Sequence, residues 1–583
     1  MNKRIVLWIV FLMSLLLLWE RWQTFNGRPS MFFPNATQVV KTDATKNATL
    51  NSTSPLADGT NSVSNLPSAT SAVPVQGETI TIITDLYKAE IDTVGGELFH
   101  LELLKQKQDV DTSFGSGWKS LFKAGKTAKE MHDEAPNVVL FDRSDKRTYL
   151  AQTGLLDDAK TKNPAATLIG LPNHKSLFTA QPGLRTLDDS GQVQLVLEAE
   201  QNGVKLVKTY TFKKGSYSID LTHQIINASA APVTSSLYMQ IVRDGGKLEG
   251  ETRFIGTSSF IGPAVYNVAE HKVEMLTFEK IEKGSKVTLD KADSGWVAMI
   301  QHYFVSGIIP QDKLPREFFM KKLDGINLFA VGNIIPINTL APGATESVTA
   351  QIYSGPLVTS LLEKVAPGFE LTKDYGWTAV VAKPVFWLMN AIHDLLGNWG
   401  WTIIVLTLCI KLVFFPLSAA SFRSMGKMKL LTPKMTAIRE RHKEDPQKMN
   451  QAMMELYKTE KVNPLGGCLP ILIQTPVFMA LYSVVLASVE LRNAPWLGWI
   501  HDLSTPDPFL LLPVLMAVSM FIQTKLNPAP ADPMQAKMMM IMPLVFSVMF
   551  FFFPSGLVLY WVVNNVLSIA QQWVITKNMA VAK

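Results

Sequence analysis

The 583-residue sequence predicts a membrane protein in two parts: an α-helical bundle of six spans and a large extracytoplasmic all-β domain. Three observations carry that prediction. Charged residues make up only 18% of the chain, against ~25% in ordinary soluble domains, and mean hydropathy is positive at +0.14. Between about residues 79 and 355, apolar and polar residues alternate, and tight-turn pairs separate the runs. From residue 399 onward come five apolar stretches and one strongly basic segment. The same composition excludes disorder of the whole chain, because disordered chains are charge-rich and poor in aromatics. Two cysteines, Cys409 and Cys468, exclude a disulfide framework and a Cys-based zinc module. The nine histidines include no pair at metal-ligand spacing, so neither a metal nor a cofactor is expected.

Residues 1–26 read as an N-terminal transmembrane anchor. Lys3-Arg4 precedes an apolar run from Ile5 to Trp19, and bulky Trp22 and Phe25 stand where a cleavage site would need small residues. Residues 27–78 are rich in Asn, Ser, Thr, Ala and Pro, cannot bury a core, and read as a flexible tether. In 79–355, Val193, Leu195, Leu197 and Ala199 occupy alternate positions before Asn202-Gly203. Tyr210 and Phe212 follow, then Lys214-Gly215 turns into Tyr217, Ile219 and Leu221. Hairpins in series predict a large antiparallel sandwich, with Val348, Ala350 and Ile352 in its last strand. Residues 356–398 read as connecting and interfacial helices, since Asn390, His393 and Asp394 interrupt the apolar stripe of Val385, Phe386, Leu388, Met389 and Ile392. The core, 399–583, is predicted to span at about 399–418, 468–488, 509–524, 538–553 and 557–575.

Charge gives the orientation. From Tyr375 to the end there are 17 Lys and Arg against 10 Asp and Glu, which leaves 38 against 39 for the residues before. Ten of the basic residues fall within 419–465, whereas the loop 489–508 has only Arg492. The positive-inside rule therefore puts 419–465 and both termini in the cytoplasm and the β domain outside.

Lys411 is the strongest single residue, because a lysine at a helix centre in lipid costs about 2.5 kcal/mol or more. It would either snorkel to the cytoplasmic surface or face a water-filled cavity. Thr407 lies one turn away, Gln474 and Thr475 fall within the next span, and Asn564 and Asn565 within the last. Polar side chains at membrane depth converge on an interior; hydrogen-bond glue between helices is the plainer reading of Gln474 and Asn564. Two spans of 16 residues, about 24 Å of helix, are short for a ~30 Å hydrocarbon layer and would thin it. In the basic segment, Thr432-Pro433 and Asp445-Pro446 each read as an N-cap with Pro at the first helical position. Met425, Met428 and Met435 recur at helical spacing, as do Met449 and Met453. They would form an adaptable apolar face that receives clients, or simply pack one helix on the other. No G-x-S-x-G, H-E-x-x-H or P-loop occurs, so no catalytic residue is expected and the chain is read as no enzyme.

Several of these motifs are long and specific. Lys461-Val462-Asn463-Pro464-Leu465-Gly466-Gly467-Cys468, with Pro470, Gln474 and Pro476, resembles the YidC membrane-protein insertase family. So do Asp532-Pro533-Met534-Gln535 and the run from Phe553 to Tyr560. The resemblance covers the whole chain and is to the Gram-negative type with a large periplasmic domain. It implies a β-supersandwich, similar in shape to sugar-epimerase folds, and a five-helix core around a hydrophilic groove closed to the periplasm. A positive residue in that groove, usually arginine, would attract hydrophilic parts of the client. The matching position is Lys411, beside Thr407, Gln474, Thr475, Tyr560, Trp561, Asn564 and Asn565. An ammonium suffices for attraction but loses bidentate contacts. Implied partners are nascent membrane proteins, the Sec translocon, the ribosome and the lipid bilayer, with no DNA. A ribosome contact through the tail would have only Lys577 and Lys583, the basic residues that follow Ile575, to rest on.

The expectation is thus a membrane-protein insertase and folding chaperone of a Gram-negative inner membrane, with its large domain in the periplasm. Two alternatives belong to other classes. A small-solute transporter would show inverted repeats of broken helices, and none is seen. A membrane-anchored carbohydrate-active β domain would need paired acid–base groups, and no local cluster of His with Asp or Glu announces one.

Overall fold

The computed structural model describes residues 77–108, 134–145, 147–157, 170–246, 260–323, 327–442, 445–460, 462, 469–527, 540–541, 545 and 547–581. The predicted anchor 1–26, nearly all of the tether, Cys468 and the 532–535 motif lie outside the described residues. The chain divides into two units, Met1–Gln106 with Asn137–Thr372, and Lys107–Pro136 with Lys373–Lys583.

Alternation builds the first unit as predicted. Val193, Leu195, Leu197 and Ala199 are buried along the strand Gln192–Gln201. Asn202 and Gly203 take positive φ of 51° and 73° and turn the chain into Val204–Lys213. Both central residues of this tight turn are left-handed, a conformation that Asn and Gly adopt at low cost. Among the described residues the strands form two antiparallel sheets of ten and nine strands. The centre of the larger runs Glu97–Lys107, Arg147–Asp157, Ser235–Asp244, Leu328–Pro336 and Arg316–Lys322. The smaller runs Gly295–Gln301, Phe304–Pro310, Thr345–Pro356, Ser218–Asn227, Val204–Lys213 and Gln192–Gln201. Polar pins join the two sheets: Lys208 Nζ donates to the Thr153 carbonyl at 2.8 Å, and His223 Nε2 lies 2.9 Å from Thr153 Oγ1.

This unit extends past the predicted boundary at residue 355. Leu357, Leu362, Ala366 and Phe369 pack with Trp296, Tyr353 and Tyr266 in one buried cluster. Trp296 Nε1 donates to the Pro367 carbonyl at 3.2 Å, so the segment up to Thr372 completes the β core instead of linking it to the bundle.

The second unit is helical: α1 Ala379–Leu396, α2 Trp399–Val413, α3 Phe415–Arg441, α4 Pro446–Thr459, α5 Leu469–Ala487, α6 Leu511–Leu526 and α7 Ser555–Val581. Helix α1 buries Ala382, Phe386, Met389 and Ile392 and exposes Trp377, Val380, Trp387 and Leu395 on and just before it. Just before it, Lys373 forms a buried ion pair with Glu490, its Nζ 3.1 Å from Oε2, and lies 4.1 Å from the Phe386 ring centre. Burial pushes the Lys373 ammonium below its usual range, against the pull of Glu490.

Three expectations change here. The predicted span 399–418 ends at Val413, where the chain bends by 70° at Phe414 into α3. Pro416 sits in the first turn of α3, where its missing N–H loses no helical bond. Thr432-Pro433 caps nothing, because α3 runs through it. Asp445 does cap, accepting from Gln447 and Lys448 N–H at 3.1 Å each. Among the described residues, Gly376–Leu396 is the one straight helix long and apolar enough to cross a membrane, and the bent α2–α3 pair passes together. The short span near 509–524 is matched by the 16 residues of α6.

Candidate polar groove

Helix α7 carries Tyr560, Asn564 and Ser568 at intervals of four, which puts them on one face. Lys411, in the last turn of α2, reaches that face: its Nζ donates to Ser568 Oγ at 2.6 Å. The serine passes its own proton to the Asn564 carbonyl at 2.7 Å. Asn564 is buried, and its Oδ1 has no partner among the described residues. Two turns before Ser568, about 12 Å along the helix, Tyr560 is fully buried and its hydroxyl accepts from Gln474 Nε2 of α5. Lys411 and Gln474 are thus two stations on one polar row, both fastened to the last helix.

The other expected residues divide. Thr407 is buried, but its hydroxyl donates to the Ile403 carbonyl at 2.6 Å, so it serves its own helix. Thr475 is exposed. Trp561 packs edge-on to Phe478, 4.7 Å between ring centres, and against Phe550. Asn565 faces α6, donating to Ser519 Oγ at 3.1 Å. It opens a second polar row with Gln572, which accepts from Gln523 at 2.9 Å and donates to Asn527 at 3.3 Å.

Ser568, Ser519, Gln523 and Gln572 were missed in the sequence reading. The signal for Ser568 was present, one turn beyond Asn564 on the same face.

At the opposite end from Lys411, the start of α7 is sewn to the loop that precedes α6. Ser555 N–H and Oγ both donate to the Thr505 carbonyl, at 2.7 and 2.6 Å, and Gly556 N–H donates to the Leu503 carbonyl at 2.9 Å. Buried Phe550, Phe553 and Tyr482 fill the space beneath, with ring centres 4.9 and 5.7 Å apart. The polar row is therefore stoppered by aromatic packing at that end.

In the hairpin of α3 and α4, the methionines pack inward. Leu431, Met435 and Val462 are buried, with Met428, Met453, Leu456 and Tyr457 against them. Met425 is also buried and Met449 half-buried, while Leu430 and Met454 are 55% and 56% exposed. Among the described residues no group of three His, Cys, Asp or Glu is placed to hold a metal ion.

A family model described as "60Kd inner membrane protein" matches residues 391–582, and one described as "YidC periplasmic domain" matches 126–388. The membrane protein insertase YidC of Janthinobacterium sp. (strain Marseille) is 56% identical, over 99% of this chain and 99% of that protein. That of Herminiimonas arsenicoxydans is 54% identical over 99% and 98%. Among solved structures, an active YidC insertase crystal structure covers 85% of this chain and 92% of its own at 20% identity, with a TM-score of 0.37. Matched by both family models and by relatives along its full length, the chain belongs to the YidC family of membrane protein insertases.

Proposed function

We propose that this insertase receives the hydrophilic ends of nascent membrane proteins on the polar row of α7, with Lys411 as the attracting charge. The observation that carries the reading is the lysine's setting. Its ammonium is held on Ser568, and none of the five apolar stretches of the core contains an Asp or Glu to neutralise it. A lone cation at that depth is costly, and a client carboxylate supplies the missing counter-charge. The groove lowers the desolvation cost of bringing a short polar segment partway into the bilayer. Short α6 thins the remaining layer, and burial of the client's own apolar span drives completion. As a YidC insertase the chain is not an enzyme, and no covalent step is involved.

In this reading the bundle has six spans with both termini and the α3–α4 hairpin in the cytoplasm. The hairpin's basic face meets the ribosome or anionic lipid, and the Sec translocon is a partner for larger clients. The test is insertion by the pure protein in liposomes, with clients that differ only in the charge of the translocated tail. Lys411→Arg is expected to keep insertion, and Lys411→Glu to impair acidic-tailed clients most. Equal insertion by wild type and Lys411→Glu at matched protein levels refutes the role.

A further inference from the structure

We infer that Ser568 is a positioning residue for the groove cation: it fixes the direction of Lys411 so that two ammonium N–H groups and the Asn564 amide oxygen together present a receptor for a client carboxylate and its neighbouring backbone N–H. The inference rests on the proposed role of Lys411 and adds a residue and a ligand geometry to it.

The Ser568 hydroxyl has one proton and two lone pairs. Its proton is taken by the Asn564 carbonyl at 2.7 Å, so the oxygen can only accept from Lys411, 2.6 Å away. That order of donation fixes the hydroxyl as an acceptor. A serine bonding back to the carbonyl four residues earlier is ordinary in a helix; receiving an ammonium from another helix is not part of that habit. Lysine has a long flexible stem and three donors with no preferred plane. An unanchored lysine would snorkel along α2 toward the surface, where exposed Leu412 and Val413 adjoin it.

One N–H on Ser568 leaves two for a ligand. No carboxylate pairs with Lys411 among the described residues. One turn from Ser568 along α7, Asn564 Oδ1 is an acceptor without a partner among the described residues, on a residue more than nine-tenths buried. Leaving such an atom unpaired is unfavourable unless something fills the place. A peptide segment with an acidic side chain fills both needs, since its carboxylate takes the two ammonium protons and its backbone N–H donates to Asn564.

The experiment uses the full-length protein in liposomes and a client series with zero, one or two acidic residues in the tail. Ser568→Ala is expected to lower insertion of the acidic clients roughly tenfold or more, the loss of one hydrogen bond to a charged group, and to leave the neutral client within roughly twofold. Ser568→Thr restores the hydroxyl and is expected to recover the acidic clients. A structural role for Ser568 would instead reduce all clients equally. Lys411→Gln runs in parallel. If it abolishes the acidic-client advantage while Ser568→Ala keeps it, the positioning role is overturned and the Lys411 reading stands. If neither variant changes the advantage, both fall.

Discussion

His223 lies between the two sheets of the β unit, and His174 holds its Nδ1 2.5 Å from the buried Tyr238 hydroxyl. Burial above all, then the charge of Lys208, pushes the His223 imidazole down to about 3. Burial, then Lys175 and Lys208, pushes His174 down to about 4. In the unfolded chain both titrate near about 6.5. Between those values the unfolded state binds more protons, so each histidine makes stability rise with pH and fall as acid is added. Glu97 acts in the opposite sense. Burial raises it to about 7, against Arg143, Gln152 and Lys208, so from about 4.5 to about 7 the folded state holds the extra proton. Two histidines outweigh one carboxyl, and a net proton is worth about 1.4 kcal/mol per pH unit. The unfolding midpoint of the β unit, followed in detergent on the full chain, is therefore expected to drop between pH 6.5 and pH 5. In a His174→Asn, His223→Asn variant the drop is expected to vanish or reverse, leaving Glu97 in charge. An identical pH dependence in both proteins would show that neither imidazole is held neutral.

At the scale of elements, the α3–α4 hairpin shows how a sequence pattern and its use can separate. Its methionines fall at helical spacing, but Met428, Met435 and Met453 face the seam between the two helices, where they serve packing. A client meeting the hairpin would touch what remains outside, and Leu430 and Met454 are large apolar side chains exposed there. Photo-reactive residues at Leu430 and Met454 are expected to cross-link ribosome-bound client chains before a probe at Gln474 or Lys411 does. Substitution at Met428 or Met453 would loosen the hairpin itself. Cross-links that appear first in the groove, and never at Leu430 or Met454, would make the hairpin a support and not a receiver. Much of this element was legible: Asp445-Pro446 starts α4 because its carboxylate meets two free N–H groups. Thr432-Pro433 looks the same in sequence, yet α3 passes through it, since proline removes only the bond to the Lys429 carbonyl and the rest of the helix holds. The break came instead at Phe414, where Pro416 in the first turn of α3 was the unread signal. In the groove, Lys411, Gln474 and Asn564 were visible as costly groups in apolar helices. Ser568 was not, because a lone serine can satisfy itself on its own helix, and only the tertiary approach of Lys411 gives it a second bond. Thr407 shows the reverse case: its spacing fits the site, but its hydroxyl is taken by Ile403.

At the scale of the whole molecule, each unit contains what its own fold needs. The residues of the polar row and their partners, Lys411, Gln474, Tyr560, Asn564 and Ser568, all lie in the stretch Lys373–Lys583 of the helical unit. The β unit closes its core with its own segment 357–369. Where a deletion ends should therefore decide its outcome. A chain lacking 79–355 keeps Leu357, Leu362, Ala366 and Phe369 but loses Trp296 and Tyr353, which cover them. Four buried apolar side chains would then face water, an exposed patch of the kind that promotes association. A chain lacking 79–372 removes that segment together with its partners, and Lys107–Pro136 with them, but keeps α1–α7 and the stretch from Lys373 onward, preserving the buried pair with Glu490. Breaking that pair would leave an unpaired buried charge at a cost of about 3–5 kcal/mol, so the cut cannot be moved further without penalty. The longer deletion is expected to give more monodisperse protein than the shorter one. It should also keep insertion of a short-tailed client in liposomes near the full-length rate, with the same loss on Lys411→Glu. Size-exclusion profiles and insertion rates of the two chains, measured side by side, decide the matter. A 79–372 deletion that folds and stays monodisperse but inserts nothing would mean that the β unit takes part in insertion itself, and that the polar row of the helical unit is not sufficient.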